Sequence, residues 1–125
     1  MPRGRPRIRP IQHERGEQQA LVAWFALAYP GEIMFSIPNE LVRTPAMAAR
    51  SKLGGLVPGM PDLCVAAMRS RFGGCYIELK RADGKGVLSP EQKVMLERLT
   101  EKGYKAVMVT GWDEGREVII NYMGL

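Results

Sequence analysis

Histidine and cysteine are scarce in this chain, and their scarcity narrows its chemistry. Its 125 residues include one histidine, His13, and two cysteines, Cys64 and Cys75. Neither cysteine stands in a zinc-ligand spacing, so no structural zinc is expected. Long apolar runs are missing as well. Nothing approaches the roughly 18 residues of a membrane span, and the N-terminus has no apolar signal-peptide core, so a cytoplasmic protein without a membrane partner is expected. Repeats are absent, as are long insertions and any low-complexity tract beyond the first residues. What remains is ordinary: 46% apolar and 25% charged residues, enough chain for one domain with a real core.

The net charge of +5 is unevenly placed. Arg3, Arg5, Arg7, Arg9 and Arg15 stand against Glu14 alone, and the rest of the chain is close to neutral. Residues 1–13, with Pro2, Pro6 and Pro10, therefore read as a basic, flexible arm ahead of a domain over residues 14–125. Such an arm is either a solvated tail or a sequence-independent contact to phosphates.

Residues 14–29 carry a helical pattern ended by Pro30-Gly31, with Leu21, Trp24 and Ala28 in one stripe and Glu17 four residues before Leu21. Glu17 is either a first-turn acid favoured by the helix dipole or a carboxylate aimed at a site. Residues 32–37 read as a short strand halted by Pro38. Thr44-Pro45 opens a short helix through Leu53, ended by Gly54-Gly55. Residues 60–68 alternate as a strand, residues 69–74 turn, and residues 75–81 alternate again, which makes a hairpin. After a polar loop at 82–88, Ser89-Pro90-Glu91-Gln92 is a capping-box start for a helix closed at Gly103. Residues 104–110 read as a buried strand and residues 117–122 as a last strand.

The hairpin holds the residues with chemistry. Along residues 75–81, Ile77 and Leu79 point one way while Tyr76, Glu78 and Lys80 point the other, and Glu78 and Lys80 lie roughly 6.6 Å apart on one face. The hairpin brings Asp62 near Glu78. Two carboxylates and a lysine gathered together are hard to explain as packing, because unpaired acids repel and are costly to bury. A divalent cation resolves the conflict, and the pattern implies metal-dependent phosphodiester cleavage. If Asp62 and Glu78 share a face, Cys64 lies on that face and Cys75 on the other, which bars a disulfide. Gln92 either closes the capping box or, sharing a stripe with Met95, Leu96 and Leu99, points at the sheet. Arg43, Arg50, Lys52 and Lys85 are candidate DNA contacts, although such residues are commonly just solvated.

These pieces resemble a known family. A helix with Glu, a strand with Pro-Asp, a strand with Glu-x-Lys, then a helix and a strand resemble the core of the PD-(D/E)xK nuclease superfamily. More closely, the chain resembles the virus-type replication-repair nuclease (VRR-NUC) domain in Ile37-Pro38-Asn39-Glu40, Gly59-Met60-Pro61-Asp62-Leu63, Ile77-Glu78-Leu79-Lys80, Leu88-Ser89-Pro90-Glu91-Gln92 and Gly103-Tyr104. The likeness spans residues 17–110. Leu41-Val42-Arg43-Thr44 depart from the glycine and basic residues that follow Asn-Glu in many members. The resemblance implies an α/β fold with a restriction-endonuclease-like core, a central mixed β-sheet flanked by α-helices. It also implies a stand-alone phage or bacterial nuclease, a homodimer acting on branched DNA such as four-way (Holliday) junctions. Asp62 and Glu78, the backbone carbonyl of Leu79 and Glu17 would hold Mg²⁺ or Mn²⁺. Lys80 would orient or deprotonate the attacking water, and Gln92 would hold that water or Lys80. Trp112, Val118, Ile120, Tyr122 and Met123, or Met34 and Phe35, are candidates for the dimer interface, with most of them expected to be core. Competing readings are an endonuclease or nickase on linear duplex or flap DNA, a non-catalytic DNA-binding module, and a protein-interaction domain.

Overall fold

The computed structural model describes residues 14–38 and 44–125, the side chains of residues 14 and 15 excepted. The arm, His13, Asn39, Glu40 and Arg43 lie outside it. Among the described residues the chain runs α1 (Glu14–Ala28), β1 (Met34–Ser36), α2 (Pro45–Leu53), β2 (Leu63–Val65), β3 (Cys75–Lys80), α3 (Pro90–Glu101), β4 (Lys105–Thr110) and α4 (Gly111–Met123). The sheet order is β1-β2-β3-β4. β1, β2 and β3 pair antiparallel, and β4 joins β3 in parallel through α3, the helical crossover a parallel pair requires.

Strand alternation divides the molecule into two faces. Leu63, Val65, Cys75, Ile77, Leu79 and Val109 turn toward α1 and α4 and form the core with Leu21, Phe25, Ile119 and Tyr122. Asp62, Cys64, Tyr76, Glu78 and Lys80 share the opposite face, where α3 packs with buried Met95 and Leu99. The two free cysteines are thus buried on opposite faces, and burial pushes the Cys75 thiol up to about 12. The buried stripe of α1 runs Glu17, Leu21, Phe25, spaced by four. Trp24 is half-buried and Ala28 exposed, contrary to the expected Leu21-Trp24-Ala28 stripe.

Two expectations of secondary structure need correction. Residues 117–122 are helical, part of α4, because Gly115, Ile119 and Tyr122 form a stripe buried against the core. Gly115 allows the close approach, since a Cβ there would lie 3.0 Å from Leu21 Cδ2. Packing thus overrides the strand preference of Val118, Ile119 and Ile120. Tyr122 is consequently core, its hydroxyl donating to Ala67 O at 2.5 Å, and Trp112, Val118 and Met123 pack partly buried on the core. Ile120 and Phe35 stay exposed. Finally, β4 is an edge strand with Val109 alone buried, not a buried strand, whereas β3 is buried on both faces except at Tyr76.

Candidate active site

Asp62 stands one residue before β2. Extending the Leu63↔Ile77 register by one residue sets Asp62 across from Glu78, on the same face. The ladder ends there, and Asp62 Oδ2 accepts the Leu79 N–H at 2.8 Å. In a strand the N–H and C=O of one residue point to the same side, so the Leu79 carbonyl also faces the Asp62 side. Buried Pro61, next in register, has no N–H to offer it.

Glu78 is 2% exposed. Its Oε1 accepts from Gln92 Nε2 at 3.0 Å and lies 3.3 Å from Lys80 Nζ. Its Oε2 is buried without a hydrogen-bond partner among the described residues. Burial first, and then the Asp62 carboxylate, push the Glu78 carboxyl up to about 7, against the opposing pull of Lys80. An acid so displaced sits in a place built for an additional positive charge.

Gln92 satisfies both of its readings at once. Its backbone N donates to Ser89 Oγ at 3.2 Å, and its Oε1 accepts from Ser89 N at 2.9 Å, completing the capping box. The same Oε1 accepts from Lys80 Nζ at 3.1 Å. Ser89 N–H and the ammonium are donors only, which fixes the amide orientation and aims Nε2 at Glu78. Lys80 is 7% exposed, its stem covered by a residue whose importance sequence reasoning missed. A Cβ at Gly86 would lie 3.0 Å from Lys80 Cβ and 3.2 Å from its Cδ. A glycine six residues after the lysine was the available signal, but only the folded loop shows what it touches.

Glu17 does not join this group. It is buried, and its Oε2 accepts the Trp112 N–H at 2.6 Å. Thr110, the N-cap of α4, makes no side-chain cap bond, so Glu17 reaches from α1 to cap a different helix. Its contact is thus with the start of α4, a partner that neither reading of Glu17 named. Among the described residues no three or more His, Cys, Asp or Glu gather as a metal-holding group. Arg50 and Lys52 lie exposed on α2, and Lys85 lies exposed in the loop after β3, where its backbone N donates to Asp83 Oδ1 at 2.9 Å.

Two facing carboxylates, one orphaned carboxylate oxygen and a carbonyl on the same side make an all-oxygen donor set. It fits a hard divalent cation such as Mg²⁺, which is commonly held by one or two carboxylates with waters and substrate phosphate completing the shell.

The family model described as the VRR-NUC domain matches residues 3–113. A solved structure described as a VRR_NUC domain protein is similar to this chain at a TM-score of 0.77 and 26% identity, covering 94% of this chain and 93% of that one. No match was found among curated proteins. Among the described residues no helix is long and apolar enough to cross a membrane.

Proposed function

This chain belongs to the VRR-NUC domain family, nucleases of the PD-(D/E)xK superfamily, and from that premise we propose a Mg²⁺- or Mn²⁺-dependent endonuclease that cuts branched DNA, four-way junctions foremost, as a homodimer. Asp62, Glu78 and the Leu79 carbonyl would hold the ion. An ion held by them would supply Lewis acidity toward the scissile phosphate and the attacking water.

The chain's own residues supply the remainder. Two of the three ammonium donors of Lys80 are directed at Gln92 Oε1 and Glu78 Oε1. The third is left for the attacking water or a non-bridging phosphate oxygen. Gln92 holds Glu78 and Lys80 at a fixed separation, so neither must reorganise as charge builds on phosphorus. Water adds in line, the bond from phosphorus to the 3′ oxygen breaks, and the leaving oxygen takes up a proton. The products are 5′-phosphate and 3′-hydroxyl ends. Each chain carries one such site, and symmetric cutting of a four-way junction needs two related by a twofold axis, which favours the dimer.

The observation that carries this reading is the buried, unpartnered Glu78 Oε2 on the face shared with Asp62. Labelled duplex, flap and four-way junction DNA incubated with Mg²⁺, Mn²⁺ or EDTA tests it. Metal-dependent cutting with preference for the junction is expected. Cutting that is indifferent to EDTA would falsify the metal assignment, and preference for linear duplex would remove the branched substrate.

A further inference from the structure

α2 contributes nothing to the core. No residue of Pro45–Leu53 is buried, whereas α1, α3 and α4 each bury at least two side chains. Its ends are nevertheless well made. Thr44 Oγ1 accepts from Met47 N at 3.1 Å, Pro45 occupies the first turn, and Gly54 N donates to Arg50 O at 2.9 Å. A 9-residue helix with no fully buried residue is marginal in water however well it is capped. The sequence thus specifies a helix whose Met47, Ala48 and Ser51 are only half-buried among the described residues and whose other positions are exposed.

Its chemistry has one sign. Residues 44–58 contain no Asp or Glu, and Arg50 and Lys52 occupy the last turn, both exposed and, among the described residues, in no ion pair. Two positions along a helix diverge by about 200°, so the two cations project to opposite sides. Between and before them stand Ala46, Ala48, Ala49 and Ser51, which keep the helix slim. The root of this segment is pressed against the candidate active site. Gly59 has φ +83, and a Cβ there would stand 2.5 Å from Glu91 O and 3.0 Å from Gln92 N. Gln92 is the residue whose amide holds Glu78 and Lys80, and Asp62 follows Gly59 by three positions.

We infer that α2 is a cationic finger seated in the major groove of the duplex adjoining the cut, with Arg50 and Lys52 reaching phosphates on the two opposite strands. This rests on the nuclease reading above and adds to it the part of the substrate that α2 holds. The major groove admits an α-helix, both of its walls are anionic, and a slim helix cationic on two sides complements that shape and charge. The binding energy ordering α2 is delivered through Gly59 at the first turn of α3.

The test is binding in EDTA, so that no cutting is required. Fluorescence anisotropy of a labelled duplex over a salt series compares the full chain with the Arg50→Ala/Lys52→Ala variant, whose unchanged melting temperature shows that it folds. Each phosphate contact contributes about 0.9 to the slope of log K against log salt, so the variant's slope is expected to be shallower by about 1.8. On single-stranded DNA, which has no groove, the two proteins are expected to match. Trypsin cleavage after Arg50 and Lys52 is expected in the free protein and suppressed by duplex. An unchanged slope with duplex still bound overturns the inference and leaves the nuclease reading standing. Protection that appears on raising protein concentration without DNA overturns it in favour of a contact between copies, for which Leu53, 89% exposed, is the apolar candidate. No DNA binding by the unaltered chain, either in EDTA or with Mg²⁺ added, removes both readings.

Discussion

Replacing Glu78 by Gln tests the central electrostatic argument without relying on catalysis. In the metal-free protein the Glu78 carboxyl is pushed from 4.5 up to about 7 by burial and by Asp62. Its folded pKa therefore lies above its unfolded value. The native state keeps a proton that the unfolded chain gives up, so the stabilisation is full below about pH 4.5 and is lost as pH rises through 7. At about 1.4 kcal/mol per pKa unit, the change amounts to at most about 3.5 kcal/mol. For a domain of this size that is a melting-temperature difference on the order of 10 °C. Glu78→Gln keeps an oxygen for Gln92 and Lys80 and places an amide donor toward Asp62, so it lacks the titration but not the hydrogen bonds. Calorimetric melts in EDTA at about pH 5 and about pH 8 should show the unaltered protein losing stability at the higher pH and the variant losing far less. Added Mg²⁺ should then raise the melting temperature of the unaltered protein at the higher pH, since an ion that binds only the native state stabilises it by mass action. The variant should not respond. Equal pH dependence in the two proteins would refute the assignment of the displaced acid to Glu78. Equal stabilisation by Mg²⁺ would refute its role as a ligand.

Three further outcomes follow from the same geometry. Lys80→Ala should lower kcat by at least ~10²-fold, the scale for loss of one electrostatic catalytic group, while DNA affinity in EDTA persists; single-turnover cleavage and anisotropy separate the two. Glu17→Ala removes the acceptor of the Trp112 N–H and should cost about 1–3 kcal/mol in urea unfolding, with the turnover of the folded fraction retained. A large loss of kcat at unchanged stability would instead return Glu17 to the ion. Gly86→Ala drives a methyl against the stem of Lys80 and should lower kcat with little change in DNA affinity, and an unaffected kcat would show that this contact does not position the ammonium.

Much of the molecule was legible because the relevant physics is local. Alternation along residues 75–80 placed Glu78 and Lys80 on one face, and the short turn before it brought residue 62 across from residue 78. Ser89 and Gln92, three apart, specified a capping box, and Thr44-Pro45 specified the start of α2. Each inference needs only the period of an element or the needs of its first turn, and all of these appear in the fold. The two readings of Gln92 looked exclusive in one dimension; in three, a single amide oxygen serves both the Ser89 N–H and the Lys80 ammonium.

Other features depended on partners remote in the chain. Residues 117–122 have the composition of a strand, yet they are helical because α1 offers Leu21 to Gly115 and the core takes Ile119 and Tyr122. Glu17 sits where an ion ligand was expected to be, but its acceptor atom is claimed by a backbone N–H 95 residues away. The burial of Glu78, and with it the displaced carboxyl, exists only once α3 covers that face of the sheet. The sequence by itself determined which side chains of the hairpin share a face and where α2 and α3 begin, since bond geometry and capping act over a few residues. Only the tertiary structure decided which carboxylate is satisfied and which is left with a bare oxygen, because desolvation and hydrogen bonding are set by whatever the rest of the fold brings alongside.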